Sequence, residues 1–144
     1  MEFKLVVYKP DLFRLGKYNT KYFINLIWYI ITFGRVSILL LLDDKMVVHS
    51  VYFTPRTFRF AYMNKNDINI GQAETLPEYR GRGIFYFVMK LIMEYYAGKD
   101  ILIWSYCDVD NKVVQKAFEK AGFEFVSYAK MSKLTRVVRS VEKI

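Results

Sequence analysis

The sequence predicts an α/β fold of the mixed-sheet (α+β) type, in which helices pack on a sheet. Three observations support this class. The 144 residues are enough for one compact domain and too few for two ordinary ones. Hydrophobic residues make up 53% of the chain and charged residues 25%, so a substantial core is available. Two helices and a meander of strands are followed by alternating helices and strands. We therefore expect a single domain over residues 1–144.

The first elements are predicted from turn signals and apolar spacing. Residues 3–8 favour a strand that ends at Pro10-Asp11, and a short helix is expected from there to about residue 17. Asn19 or Thr20 can cap a second helix, which Gly34 ends. Four apolar residues of that helix share one face: Phe23, Leu26, Ile27 and Ile30.

A hairpin follows, because the strand-like runs 37–42 and 46–53 flank the turn residues Asp43-Asp44-Lys45. Pro55 breaks the second strand, and residues 57–63 are expected to resume it. The remaining elements are a turn at 64–67, strands at 68–76 and 101–107, a helix at 85–97, a helix that begins at Asn111, and closing strands at 123–131 and 135–141.

Composition narrows the classes of partner. The net charge of +8 indicates an anionic partner, but the basic residues are scattered, so nucleic acid is not expected. Cys107 is the sole cysteine and His49 the sole histidine, which excludes an intrachain disulfide and the usual Cys/His zinc site, and no metal is expected. The apolar stretch 22–42 is interrupted by Asn25 and Gly34-Arg35 and lacks the length of a membrane span. The first residues do not form a secretion signal. We expect a cytoplasmic protein without a membrane partner.

The segment from Tyr79 to Phe85, with the sequence YRGRGIF, is the most informative feature of the chain. It lies where a predicted strand gives way to a helix. Unpaired N–H groups and the positive end of the helix dipole concentrate at such a point and favour a bound phosphate. Arg80 and Arg82 add positive charge. The spacing fits neither the P-loop nor the dinucleotide motif, so the segment predicts a site for a different phosphorylated cofactor.

A second signal lies about 30 residues downstream. Asn111 opens a segment in which Val114, Ala117, Phe118 and Ala121 have the spacing of one buried helical face. Gly122 can take the positive φ of a helix C-cap before a strand-like run begins at Phe123.

Together, these two blocks resemble the GNAT superfamily of N-acetyltransferases. Arg80-x-x-Gly83-x-Phe85, with the lead-in Pro77-Glu78-Tyr79-Arg80-Gly81, is similar to the acetyl-CoA loop of that superfamily. The Asn111 to Phe123 segment is similar to its second block. Phe85 stands where a small residue is usual, and Phe118 stands where a tyrosine is usual. Residues 67–77 also resemble acetyltransferases of bacterial surface-polysaccharide pathways.

The resemblance implies a GNAT-like fold, acetyl-CoA as cofactor, and a set of cofactor-binding residues. The strands at 68–76 and 101–107 are expected to splay apart. Thr75 and Leu76 would offer main-chain groups to the pantetheine and the thioester oxygen. Asn111 and its helix would line the pantetheine arm. The N–H groups of the loop would hold the pyrophosphate: Arg80, Gly81, Arg82, Gly83, Ile84 and Phe85.

Three side chains are candidates for proton transfer. Glu74 lies beside the predicted thioester site and is the first candidate for the base, although a strand carboxylate that faces solvent is an equal alternative. His49 is the second candidate, and a structural role is its alternative. Phe118 cannot donate a proton, so Tyr106 or Tyr128 would have to replace the usual acid, unless the thiolate leaves without one.

These observations predict an N-acetyltransferase that transfers an acetyl group from acetyl-CoA to the amine of a small molecule or a nucleotide-linked amino sugar, by direct attack in a ternary complex. The alternative is a non-catalytic acyl-CoA-binding regulatory module, which Phe85 and Phe118 favour. A homodimer is left open.

Overall fold

The computed structural model describes residues 2–143. The strands are β1 (Lys4–Tyr8), β2 (Ser37–Asp43), β3 (Met46–Pro55), β4 (Ile68–Thr75), β5 (Ile103–Trp104), β6 (Ser127–Met131) and β7 (Val138–Lys143). The α-helices are α1 (Tyr22–Ile31), α2 (Ile84–Tyr96) and α3 (Lys112–Ala121). Short 3-10 helices lie at Lys17–Asn19, Phe58–Phe60 and Pro77–Tyr79.

The main sheet has the strand order β1-β2-β3-β4-β5. Its neighbouring strands are antiparallel, except that β4 and β5 are parallel. The predicted class, helices on a mixed sheet, is confirmed. The two closing strands, β6 and β7, are not part of this sheet; they pair with each other in a separate two-stranded sheet.

The core has two layers, one on each face of the sheet, and β2 contributes to both. Residues at alternate positions of a strand point to opposite faces. The first layer, under α1, contains Trp28, Ile38, Leu40, Tyr52 and Phe60. The second layer, under α2 and α3, contains Leu39, Leu41, Ile70, Val88 and Ile92. Burial on both faces explains why β2 is a continuous apolar run in the sequence.

Helix α1 differs from the prediction in its orientation. Phe23, Ile27 and Ile30 do share a face, but they are 55–76% exposed, whereas Asn25 and Trp28 are buried against the sheet. The residue before the helix is Lys21, and no side chain caps this end. No helix among residues 2–143 is long and apolar enough to cross a bilayer.

Two short segments also differ from the prediction because local side-chain bonds decide them. The helix expected from residue 11 is replaced by a turn, in which Asp11 Oδ1 accepts from the Phe13 N–H and Oδ2 pairs with Arg14. The strand expected at 57–63 is replaced by the 3-10 helix Phe58–Phe60, and the Thr57 hydroxyl accepts from the Arg59 N–H.

Helices α2 and α3 form within one or two residues of the predicted bounds. Asn111 caps α3, with its Oδ1 accepting from the Val114 N–H at 3.3 Å. Gly122 ends α3 with φ at +103°. These local signals were sufficient to predict both ends of α3, and the expected capped helix is confirmed.

Candidate active site

A V-shaped gap opens between β4 and β5. The two strands pair only at Ile68 with Ile103 and at Asn69 with Trp104. One side-chain bond follows, in which the Ser105 hydroxyl donates to the Ile70 carbonyl at 3.0 Å. Beyond it β4 continues to Thr75 without a strand on that side, so β5 is shorter than the predicted 101–107. The strands separate as the family resemblance implied, and we call this opening the β4–β5 gap.

A bulge in β4 accompanies the separation. The register between β3 and β4 shifts between Ser50 and Tyr52. Gln72, on the β4 side of that shift, has φ at +54°, an uncommon value for a residue other than glycine. Because a bulge bends its strand and raises the local twist, it helps to turn β4 away from β5.

The main chain of Thr75, and not that of Leu76, faces the gap. The Leu76 N–H donates to the Val48 carbonyl at 2.9 Å, and the Leu76 carbonyl accepts from the Tyr79 N–H at 2.9 Å. Both groups have protein partners, which corrects the expectation that Leu76 offers them to a ligand. In an antiparallel pair, alternate residues direct their main-chain groups toward the partner strand. Thr75 therefore directs its own groups into the gap, where its carbonyl accepts from Arg80 Nε at 3.0 Å.

The glycine-rich loop, residues 80–85, follows at the open end of the gap. Gly81 and Gly83 both have φ near +75°, which other residues rarely adopt. A Cβ at either position would meet nothing within 4 Å, so the loop has open space in front of it. The first N–H groups of α2 have no partner within the helix. This arrangement fits a pyrophosphate group.

Tyr79 holds the start of this loop in place. Its hydroxyl donates to Oδ2 of Asp43, the last residue of β2, and its ring contacts Phe3 edge to face at 6.3 Å. The guanidinium of Arg82 lies over the Tyr79 ring at 5.0 Å. The loop is therefore attached to the sheet through a tyrosine that the sequence placed in the motif lead-in.

The sequence model of the family described as "Acetyltransferase (GNAT) family" matches residues 7–123. The chain belongs to the GNAT acetyltransferase family. The predicted family and the acetyltransferase class are confirmed. No curated protein sequence matches the chain.

Several solved structures share this GNAT fold. Aminoglycoside N-acetyltransferase AAC(6')-Iy in complex with CoA has a TM-score of 0.62 and 12% identity, over 92% of this chain and 98% of that chain. A predicted acetyltransferase with acetyl-CoA from Clostridium acetobutylicum has a TM-score of 0.56 and 15% identity, over 91% and 97%. Glucosamine-6-phosphate N-acetyltransferase from Arabidopsis thaliana has a TM-score of 0.57 and 16% identity, over 92% and 99%. At such low sequence identities, the similarity to these structures establishes a shared fold and nothing more.

The two residues that depart from the GNAT pattern pack against each other. The ring of Phe85 contacts Phe118 at 5.5 Å and His49 at 6.3 Å between centroids, and Phe118 also contacts Phe123. Phe85 thus points into the second core layer and does not crowd the glycine-rich loop. Both residues that differ from the GNAT pattern, Phe85 and Phe118, thus belong to one aromatic cluster in the core.

His49 is a buried residue of the same layer. It is 1% exposed, and its Nδ1 lies 2.7 Å from the Thr75 hydroxyl. Burial lowers the pKa of His49 to about 4, so the ring is uncharged at neutral pH and a weak base. The structure therefore does not support the predicted role of His49 as a general base. It supports the structural alternative, in which His49 fixes Thr75 beside the gap.

Glu74 lies on the opposite face, since neighbouring strand residues point in opposite directions. Its Oε2 pairs with Lys21 Nζ at 2.9 Å, and the two side chains are 56% and 60% exposed. Such an exposed pair is weak. Glu74 is thus accessible on the α1 side of β4.

Two other predicted residues follow β5 along the chain, and of these Tyr106 lies near Gly71 and Gln72 of β4. Tyr106 is 42% exposed, and its ring lies 6.0 Å from that of Phe60. Asn111, which follows along the chain, uses its side-chain oxygen to cap α3.

Sequence reasoning missed a buried polar network under α1. Asn25 Nδ2 donates to the Leu15 carbonyl at 2.6 Å and to the Thr20 hydroxyl at 2.9 Å, and Asn25 Oδ1 accepts from the Tyr52 hydroxyl. Burial, with the charge of Glu74 as the next cause, raises the pKa of Tyr52 to about 12, so this hydroxyl stays protonated. The sequence did contain one signal for this network, namely a single asparagine within an otherwise apolar helix.

Proposed function

We propose that this GNAT protein transfers the acetyl group of acetyl-CoA to the amine of a small molecule or amino sugar. The amine nitrogen would attack directly in a ternary complex: a carbon–nitrogen bond forms, the carbon–sulfur bond breaks, the sulfur keeps the electron pair and the nitrogen gives up a proton. The β4–β5 gap is the observation that carries this proposal, because it leads from the glycine-rich loop to the main chain of Thr75.

The residues at the gap fit the cofactor. The N–H groups of residues 80–85 would bind the pyrophosphate, and Arg80 and Arg82 would add charge-assisted bonds. The Thr75 main chain would pair with the pantetheine, and Asn111 would position the start of α3 beside it. When bound, acetyl-CoA supplies an acyl group that is already activated as a thioester.

Glu74 is our candidate for the group that takes the proton. An alkyl ammonium must lose a proton before it attacks. Glu74 is exposed beside the gap, and a substrate ammonium can replace Lys21 as its partner because an exposed ion pair contributes little. Tyr106 remains the candidate acid, and a thiol with an ordinary pKa of about 8.5 can also leave as thiolate.

The first experiment tests cofactor binding by thermal shift and calorimetry. Acetyl-CoA should raise the Tm of the wild type. The double variant Arg80→Ala, Arg82→Ala should bind it at least about tenfold more weakly, because charge-assisted bonds to phosphate are lost. Lys65→Ala, Lys133→Ala is the matched control, since it removes two exposed positive charges outside the loop. Equal affinity in the Arg80/Arg82 variant would show that this loop does not bind the cofactor.

The second experiment separates catalysis from binding alone. The absence of a tyrosine at Phe118 favours a non-catalytic acyl-CoA-binding module as the second candidate. Release of free coenzyme A should be measured with glucosamine, glucosamine 6-phosphate, a nucleotide-linked amino sugar and simple alkyl amines. Amine-dependent release supports the transferase. Tight acetyl-CoA binding with no release above background for any amine supports the module.

The surface-polysaccharide subtype, a homodimer and a cytoplasmic location remain predictions. The presence of the nucleotide-linked sugar in the panel tests the first of these. A single thiol with no disulfide fits a reducing compartment.

A further inference from the structure

A pocket of about 400 Å³ lies where the turn after α1 meets the segment that follows β3. Small-molecule sites have volumes of about 300 to 1,000 Å³, so this one has room for a ligand. The two segments are neighbours because Ser37, the first residue of β2, pairs with Phe53 near the end of β3. The polar and aromatic residues that line the pocket are Phe33, Arg35, Arg56, Thr57 and Phe58. We call it the Arg35–Arg56 pocket.

The fold holds both arginine side chains of the pocket in place without neutralising them. Arg35 Nε donates to the Thr32 carbonyl at 3.1 Å, and Arg56 Nη2 donates to the Ala61 carbonyl at 3.3 Å. A guanidinium has five N–H groups, so each arginine keeps donors for a ligand. No described lining residue carries a carboxylate, and the salt bridges among the described side chains involve neither arginine. The pocket therefore attracts an anion.

The two phenylalanine rings of the pocket are exposed without an evident packing role. Phe33 is 88% exposed and Phe58 is 63% exposed. Phe33 also has φ at +53° and directly follows the C-cap residue of α1, at the position where glycine is usual. A left-handed conformation is strained for a residue with a side chain, and strained residues are frequent at ligand sites. Strain and exposure at one aromatic residue thus both point to a bound ligand.

The Arg35–Arg56 pocket is separate from the glycine-rich loop. Pro55, which precedes the pocket residues of the second segment, pairs with Ile68 at the start of β4. The glycine-rich loop follows the other end of this strand of eight residues. Such a strand spans roughly 23 Å from its first to its last residue. A ligand in the pocket is therefore distinct from a pyrophosphate at the loop.

We propose that the Arg35–Arg56 pocket binds a nucleoside phosphate, with the guanidiniums on the phosphate oxygens and the base against Phe33 and Phe58. The planar guanidinium matches the geometry of phosphate oxygens, and an aromatic ring stacks on the face of any base. The Thr57 hydroxyl accepts from the Arg59 N–H at 3.3 Å and keeps its own proton to donate. This inference does not depend on the proposed acetyl transfer.

The test uses uridine diphosphate as the probe, because its base differs from that of coenzyme A. Calorimetry with the wild type should show binding at least about tenfold tighter than that of pyrophosphate or uridine, since each of these lacks half of the contacts. Saturating coenzyme A should leave this affinity unchanged. No binding, or equal affinity for pyrophosphate, would overturn the inference. Competition by coenzyme A would also overturn it, because the probe would then bind at the glycine-rich loop.

Charge removal tests the phosphate contacts. Arg35→Ala, Arg56→Ala should bind uridine diphosphate at least about tenfold more weakly than the wild type. Arg80→Ala, Arg82→Ala is the matched control, because it removes the same charge at the glycine-rich loop and should keep the affinity. An equal loss in both double variants would mean that only the net charge attracts the probe, and the pocket assignment would fail.

Phe33→Gly separates a ligand role from a structural one. It should weaken the binding of uridine diphosphate at least about fivefold, because stacking on the base is lost. Its Tm should stay equal or rise, since glycine adopts positive φ without strain. Phe13→Gly is the control, because Phe13 is 98% exposed outside the pocket and should not affect binding. Full affinity in Phe33→Gly, or a large fall in its Tm, would contradict the inference.

A last measurement distinguishes a free nucleotide from the nucleotide part of an acceptor. The KM values of Arg35→Ala, Arg56→Ala for glucosamine and for a nucleotide-linked amino sugar are compared with those of the wild type. A rise for the nucleotide-linked sugar alone assigns the pocket to the acceptor, whereas unchanged KM values with lost binding of uridine diphosphate assign it to a separate nucleotide. If no amine is acetylated, the proposed function fails, and the binding experiments still decide this inference.

Discussion

At the scale of single residues, His49 links the fold to pH. Its pKa is about 4 in the folded protein, because of burial, and 6.5 in an unfolded chain. Between these values the unfolded chain binds a proton that the native state does not, so stability rises with pH. The contribution is complete above pH 6.5, decreases as the pH falls toward 4, and is constant below that.

We expect the free energy of unfolding to fall by about 3 kcal/mol as the pH is lowered from 6.5 to 4, because His49 takes up a proton only in the unfolded chain. Urea denaturation of the wild type and of His49→Gln at several pH values measures the difference, since carboxylates affect both proteins alike. Glutamine can retain a bond to Thr75. Identical pH dependence in the two proteins would contradict the prediction.

At the scale of elements, the loop between β4 and α2 depends on Tyr79. Tyr79→Phe removes the bond to Asp43 and loosens the attachment of the loop to the hairpin. The KM for acetyl-CoA should rise about threefold to tenfold, with kcat almost unchanged, because ground-state binding and not the chemical step is weakened. Tyr95→Phe is a suitable control, since Tyr95 is 67% exposed on α2. An unchanged KM in Tyr79→Phe would show that Phe3 packing alone positions the loop.

The elements also show what the sequence could predict. Helix α3 was predictable because Asn111 and Gly122 are local signals. The inward face of α1 was not, since all of its residues except Asn25 are apolar or aromatic and any face could have been buried. The buried bond between Asn25 and Tyr52 was not predictable either, because it joins α1 to β3, which are distant in the sequence. The glycine-rich loop between β4 and α2 was predictable as a loop, but the pairing of the Leu76 main chain with Val48 was not, because Val48 is distant in the sequence.

At the scale of the whole molecule, one sheet joins both core layers, and this supports the expectation of a single domain. We predict one cooperative thermal transition that is the same by far-ultraviolet and near-ultraviolet circular dichroism. Acetyl-CoA should shift both signals together, since a ligand that binds only the native state stabilises the whole cooperative unit. Two separated transitions would indicate that the β6–β7 pair or another part unfolds independently.

The shared strand β2 also constrains how this protein can diverge. Ile38, Leu40 and Leu42 support the α1 layer, whereas Leu39 and Leu41 support the α2 and α3 layer. Neighbouring positions of β2 are therefore under different selection. Substitutions that accompany a change in α1 would accumulate at every second residue of β2, because only those residues pack under α1. The intervening residues would be preserved, because they support α2 and the glycine-rich loop that precedes it.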